Sequence, residues 1–219
     1  MITRADLVAL AELGDFFDLT TPAPADAPTL RAFAADPLAI RVEIDGTSAL
    51  LHGRGDDEID RRVSASLVHL GLVARLVSPV VGARVLLGGE LCAGELRVHR
   101  VGRRRLVLSA AQVDDADDLL NVLRAVDDGF SRAESLSSIV MWGNCGSAIA
   151  AAAAMVGRAR PDRADAARAV ADQLLATGEL AGTGNHVDGA WKRTSCCLYY
   201  RIPGGGLCGD CVLSTVPDP

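Results

Sequence analysis

Along most of the chain, apolar residues recur every three to four positions, the period of a helix with one buried face. Leu7, Leu10 and Leu13 keep this spacing behind Thr3 and Asp6, whose separation resembles a capping box, and predict a short amphipathic helix. A Pro-rich connector, "TTPAPADAP", covers residues 20–28. The period then shortens: Ile40, Val42 and Ile44 alternate with Arg41 and Glu43 ahead of Asp45-Gly46, which predicts a strand and turn. From about Asp56, Ile59, Val63, Leu67, Leu70 and Val73 restore the helical beat until Ser78-Pro79, where proline should break or kink it.

Residues 95–100 and 105–108 flank a Gly-containing basic turn, Arg103-Arg104-Arg105, and predict a hairpin. Helical signals return over 114–127, over 131–156 with a bend expected at Gly143, and over 162–177 behind Pro161. Beyond Gly178 the chain is Gly-rich and reads as irregular. The pattern predicts an α+β fold that is predominantly α-helical: one domain with a small antiparallel β element and a C-terminal Cys-rich loop. Within it, residues 1–55 form an N-terminal helix and a variable region packed on the main domain. Residues 56–190 form an α-rich core and residues 191–213 the Cys-rich segment.

Composition narrows the function. The 219 residues suffice for one substantial core, and 49% are hydrophobic but only 4% aromatic, which favours packed helices. A net charge of −6 gives no general attraction to nucleic acid or anionic membranes. The most apolar window, Ile139 to Val156, is interrupted by Asn144 and Ser147 and reads as a buried helix, not a membrane span. The opening "MITRADLVALAELGDFF" lacks an export signal, so the expected compartment is the cytoplasm. Thiols stay reduced there, and clustered cysteines point to metal or redox chemistry.

Four of the six cysteines lie in "RTSCCLYYRIPGGGLCGDC" (193–211): Cys196 and Cys197 are adjacent, and Cys208 and Cys211 form a Cys-x-x-Cys. Pro203 and Gly204-Gly205-Gly206 let the connection fold back so that both pairs reach one centre. Zinc, a [2Fe–2S] cluster and a catalytic dithiol are all compatible with four thiols. Adjacent cysteines in extended backbone point apart, so gripping one small ion demands a sharp bend. Two metal atoms present a larger perimeter and suit the pair better.

The pattern Cys196-Cys197-x10-Cys208-x2-Cys211 resembles the C-terminal signature of FhuF-type ferric-siderophore reductases. "SLVHLGLVARLVSP" (66–79) is similar to that family's central helix, and "MWGNCGSAIAAA" (141–152) to its Trp-Gly-Asn segment. These two also resemble the C-terminal domain of siderophore synthetases, which is related in fold. The resemblance implies a [2Fe–2S] cluster with Cys196, Cys197, Cys208 and Cys211 as its iron ligands. It further implies an oxidoreductase that reduces Fe(III) in a siderophore, of hydroxamate type, by one electron to release Fe(II) in the cytoplasm. The alternatives are a zinc-stapled siderophore-binding protein and a [2Fe–2S] carrier or sensor with another target.

The expected partners are the ferric siderophore and an electron donor such as a ferredoxin or a reduced flavin system, because no nucleotide-binding glycine loop is present. No nucleic acid and no stable membrane insertion are expected. Lys192, Arg193 and Arg201 are candidates to steer an anionic chelate or partner, or to balance the cluster's charge. Tyr199 and Tyr200 are candidates to line the chelate site, or to pack around the cluster. Backbone N–H groups of Leu198, Gly206, Gly209 and Asp210 are candidate donors to sulfur. Cys92 and Cys145 read as small core residues, and His186 as unneeded beside four cysteines.

Overall fold

A computed structural model describes residues 2–52, 59–102, 105–110 and 119–217. Seven α-helices and two antiparallel hairpins are present among them: α1 (Arg4–Ala11), α2 (Leu30–Ala35), α3 (Pro37–His52), α4 (Arg61–Leu86), β1 (Arg97–Val101), β2 (Arg105–Ser109), α5 (Leu119–Ala133), α6 (Ser138–Ala159), α7 (Ala164–Leu175), β3 (Gly184–Val187) and β4 (Ala190–Arg193). The fold is thus α+β and mainly helical, as the periodicity predicts. The central residues of the basic turn, Arg103 and Arg104, lie outside the described residues, as does the start predicted for the helix at 114.

The longest helices, α4 and α6, pack along each other and form the spine. Both are long and apolar enough to cross a membrane by length and composition, yet their apolar windows are 67% and 61% buried inside the protein. A continuous apolar core joins them to α1, α2, α3, α5 and α7. The capping box at the first helix is present: the Asp6 N–H donates to the Thr3 hydroxyl, and the Thr3 N–H donates to Asp6 at 2.8 Å.

Three expectations are corrected. Residues 40–44 are not a strand but part of α3. Ile40 and Ile44, four apart, are fully covered, whereas Val42 is 55% exposed, so burial follows a helical period and not the alternation. The overlooked start signal is Asp36-Pro37: Asp36 Oδ1 accepts from the N–H groups of Leu38 and Ala39 at 2.9 and 3.2 Å, and proline occupies the first helical position. Pro79 does not end α4, which runs on to Leu86. Val77 and Val80 beside it are buried, so core packing offsets the backbone bond that proline cannot make.

The third correction concerns the stretch beyond Gly178, which contains the β3–β4 hairpin, not irregular chain alone. Its turn is Asp188-Gly189, with φ of 51° and 78°. Two successive left-handed residues at an Asp-Gly pair match the twist of a tight hairpin.

Gly129 shows how tightly the helices meet. A Cβ there would drive into the Ala34 carbonyl oxygen on α2 and lie 2.9 Å from Ile40 Cδ1 on α3. Gly129→Ala should therefore destabilise the protein by about 1–3 kcal/mol, the usual range for overpacking. Guanidinium unfolding should show a lower midpoint with an unchanged slope.

Candidate metal centre

The β4 strand ends at Arg193 and lays the next residues directly on α6. Two glycines of α6 make the approach possible. A Cβ on Gly143 would overlap Ser195 Oγ and come within 2.9 Å of Arg193 Nη2, and one on Gly146 would overlap Thr183 Oγ1. The Trp142-Gly143-Asn144 segment therefore forms a flat seat for the cysteine loop. Helix α6 is unbroken through Gly143, where a bend was expected.

Hydrogen bonds pin both arms of the loop to this seat. The Arg193 N–H donates to the Asp210 carbonyl at 3.1 Å, and the Thr194 N–H to the Thr183 carbonyl at 3.0 Å. The Ser147 hydroxyl of α6 donates to the Asp210 carboxylate. From α4, the buried Ser66 hydroxyl donates to the Cys197 carbonyl at 2.8 Å.

Directly after the cysteine pair, Leu198 adopts φ 68°, the left-handed region that leucine rarely enters. That residue supplies the sharp bend that neighbouring cysteines require. Its N–H turns back to Cys196 Sγ at 3.3 Å. Gly204 and Gly206, both at φ 71°, complete the return. The Cys211 N–H then donates to the Cys208 carbonyl at 3.2 Å, closing the Cys-x-x-Cys turn, and the Leu213 N–H donates to Cys211 Sγ at 3.4 Å.

All six cysteines are free thiols. The Cys197 and Cys208 side chains are hydrogen-bonded to each other. Chiefly for that reason the Cys197 thiol is lowered to about 6 and the Cys208 thiol raised. The Cys208 thiol also donates to Asp210 Oδ1 at 3.4 Å. Burial raises the Cys196 thiol, and its neighbours Cys197 and Cys211 add to that. The four cysteines are gathered on one loop, but no three of their sulfur atoms lie within 4.8 Å of one another.

The surrounding donors fit an anionic centre. Arg193 and Ser195 are only 2% and 8% exposed, yet Arg193 Nε and Nη1 and Ser195 Oγ have no partner among the described protein atoms. Buried donors without acceptors are costly. A four-thiolate iron–sulfur group would set negative charge beside the guanidinium, which already acts on Cys196 and Cys197. The amides aimed at Cys196 and Cys211 are the kind of donor that stabilises cluster sulfur.

The remaining predicted residues divide by position. Lys192 is exposed. Arg201 is exposed and engaged, with Nη1 3.1 Å from Asp60 Oδ2 and Nε 3.2 Å from the Tyr200 hydroxyl. Tyr199 packs against a small apolar cluster of Leu51, Ile59, Val63 and Ile202. Arg193, expected either to steer a chelate or to balance the cluster's charge, is buried, which suits the second role, and its Nη2 donates to Asn144 Oδ1 at 2.8 Å. Of the predicted backbone donors, Leu198 reaches a sulfur; Leu213 was not anticipated. His186 meets Trp191 edge-on and lies 4.0 Å from Asp172. Cys92 is buried in the core.

Sequence reasoning missed a buried polar chain beneath the loop. Asn144 Nδ2 donates to both the carbonyl and the hydroxyl of Ser66 at 3.2 Å. One turn along α4, His69 Nε2 lies 2.8 Å from Asp127 Oδ1 of α5. Burial raises the Asp127 carboxyl, against the lowering effect of the His69 bond. The available signal was a set of polar residues (Ser66, His69, Asn144) on otherwise apolar helix faces.

Four free thiols on one amide-lined loop, seated on helices beside a buried arginine, are a donor set suited to a metal centre. Residues 193–213 match the family model of the FhuF 2Fe-2S C-terminal domain. The segment is therefore a [2Fe–2S]-binding domain. No curated protein matches the chain.

Asn144 should be the most sensitive support residue. Asn144→Leu removes the acceptor of Arg193 and the donor to Ser66, leaving buried groups unpaired. A stability loss of about 1–3 kcal/mol is expected, read by urea unfolding. The visible absorption of the purified protein should also decay faster under chelator than in the wild type.

Proposed function

We propose that the protein is a ferric-siderophore reductase that delivers one electron to chelated Fe(III) and so releases Fe(II) in the cytoplasm. Cys196, Cys197, Cys208 and Cys211 are its [2Fe–2S] ligands. The observation that carries the reading is the uneven cover of the four cysteines: Cys197 and Cys211 are buried, whereas Cys196 and Cys208 are only partly buried. A centre held by this set has one side in the protein and one side near the surface, where a chelate can approach without entering the core.

When bound, the cluster supplies a one-electron couple. The chain's residues hold its ligands and keep water from the inner pair. Ser66 and Arg193 fix the loop backbone, and the Leu198 and Leu213 amides stabilise thiolate charge. Lys192 offers a positive charge at the rim for an anionic chelate, while Tyr200 and Arg201 form the adjoining surface. The substrate is Fe(III) held by hard anionic oxygens, as in hydroxamates. Adding one electron lowers the metal's charge and weakens its hold on those donors, so no bond from protein to the siderophore iron is needed. The electron donor is a second protein, such as a ferredoxin, or a reduced flavin system.

Anaerobic purification tests the assignment. The wild type should be red-brown with two irons and two sulfides per chain, a stoichiometry set by the cluster type. Cys197→Ser and Cys208→Ser should abolish normal cluster assembly, and Cys92→Ser should retain it. Dithionite-reduced protein mixed with a ferric hydroxamate should be reoxidised, with Fe(II) appearing in a ferrous trap. A colourless zinc protein, or a reduced cluster that ferric hydroxamates leave unchanged, would overturn the reading.

A further inference from the structure

Beneath the cysteine loop, three metal-ligating side chains from three helices converge in the core: His69 of α4, Asp127 of α5 and Cys145 of α6. One donor atom of each lies within 4.8 Å of the other two. His69 and Cys145 are fully covered, and Asp127 is 5% exposed. Asp127 Oδ1 faces His69 Nε2 at 2.8 Å, but Asp127 Oδ2 is buried and has no hydrogen-bond partner. A buried carboxylate oxygen without a partner is costly, so its environment calls for a positive group. The simple reading, an Asp–His pair beside a small core cysteine, accounts for Oδ1. It explains neither Oδ2 nor the sulfur at position 145.

We propose that His69, Asp127 and Cys145 bind one zinc ion that staples α4, α5 and α6 beneath the cluster loop. Nitrogen, oxygen and sulfur in one set suit a borderline dication such as zinc. Zinc–ligand bonds of about 2.0–2.3 Å place donor atoms roughly 3–4 Å apart, so the 2.8 Å His69–Asp127 pair must open slightly while the wider separations close. Thiolate and carboxylate neutralise the dication and the imidazole adds no charge, which leaves a dry core electrically balanced. Binding the ion would give the unpartnered Asp127 Oδ2 the positive neighbour it lacks.

The imidazole can present Nε2 to the ion with its proton on Nδ1. Both hydrogens of the Asn144 amide already have acceptors in Ser66, so the Nδ1–H faces a donor at 3.4 Å and is left without an acceptor, a cost that the metal bonds must exceed. Through Ser66 and Asn144, the stapled helices are those that hold the cysteine loop. The inference is independent of the reductase reading.

Metal analysis of the anaerobically purified full-length protein, grown with zinc, is the test. The expected content is one zinc per chain in addition to the cluster iron. Cys145→Ala should lose the zinc and keep iron and sulfide, whereas Cys208→Ser should lose the iron and keep the zinc. Zinc-edge X-ray absorption on the wild type covers the case in which Cys145→Ala does not fold. It should show one sulfur near 2.3 Å, with the remaining ligands nitrogen or oxygen near 2.0–2.1 Å.

Three results would overturn the site: full zinc content in Cys145→Ala, a zinc shell of four sulfurs, or a wild type that neither carries zinc nor takes it up when titrated with zinc(II) against a chromophoric chelator. A one-sulfur zinc shell in a protein without iron would uphold this site while defeating the reductase reading.

Discussion

The structure of the C-terminal loop depends on one buried charge. Arg193 is 2% exposed, and its backbone and side chain face different partners. The backbone N–H holds the Asp210 carbonyl, which fixes the Cys-x-x-Cys arm, and the guanidinium donates to Asn144 on α6. A guanidinium in the interior is tolerable only with compensating negative charge, and the thiols of Cys196 and Cys197, on which Arg193 acts, are able to supply it. The loop and the anionic centre it carries therefore require each other: the centre balances the arginine, and the arginine orders the ligands. Removing either leaves an uncompensated buried charge.

That arrangement explains why α6 is rich in glycine and alanine. Backbone can lie on backbone only where side chains are absent, and Gly143 and Gly146 face Ser195 and Thr183 within the reach of a single methyl group. The polar residues between and beside them then gain access to the loop. Asn144 meets Arg193 and Ser66, and Ser147 meets Asp210.

How much of this was legible in the sequence depended on the range of the interactions. The cysteine motif was readable because its geometry is local: a Cys-x-x-Cys turn, a glycine run and an adjacent pair that demands a bend. The bend's location at Leu198 was not, because leucine carries no turn signal and enters the left-handed region only under the constraint of the loop around it. The main helices were readable from periodicity, but Ile40-Arg-Val-Glu-Ile44 fits both a period of two and a period of four. Only the core on one side of Ile40 and Ile44 decides between them. The Asp188-Gly189 turn was a local signal lost within a Gly-rich stretch. The supports were hidden for a different reason: Ser66 and Cys197 are 131 positions apart, and His69 and Asp127 are 58 apart. No local pattern pairs such residues; what marks them is only that they are polar where the neighbouring pattern is apolar.

The proposed reductase follows from how this scaffold divides rigidity and exposure. Electron transfer to a chelate at the surface needs ligands that do not shift when the charge changes, yet also needs one side of the centre to be uncovered. Helical bundles give the first condition and deny the second, because their functional groups lie between helices. Here a hairpin carries the ligands out of the bundle, and three hydrogen bonds return that loop to α4, α6 and the chain around Thr183. The inner cysteines are set against that frame while the outer ones stay at the boundary with water. Placed in the core, the same four thiols would be closed to a bulky ferric chelate. On an unsupported tail, they would lack the buried arginine and serine that order them.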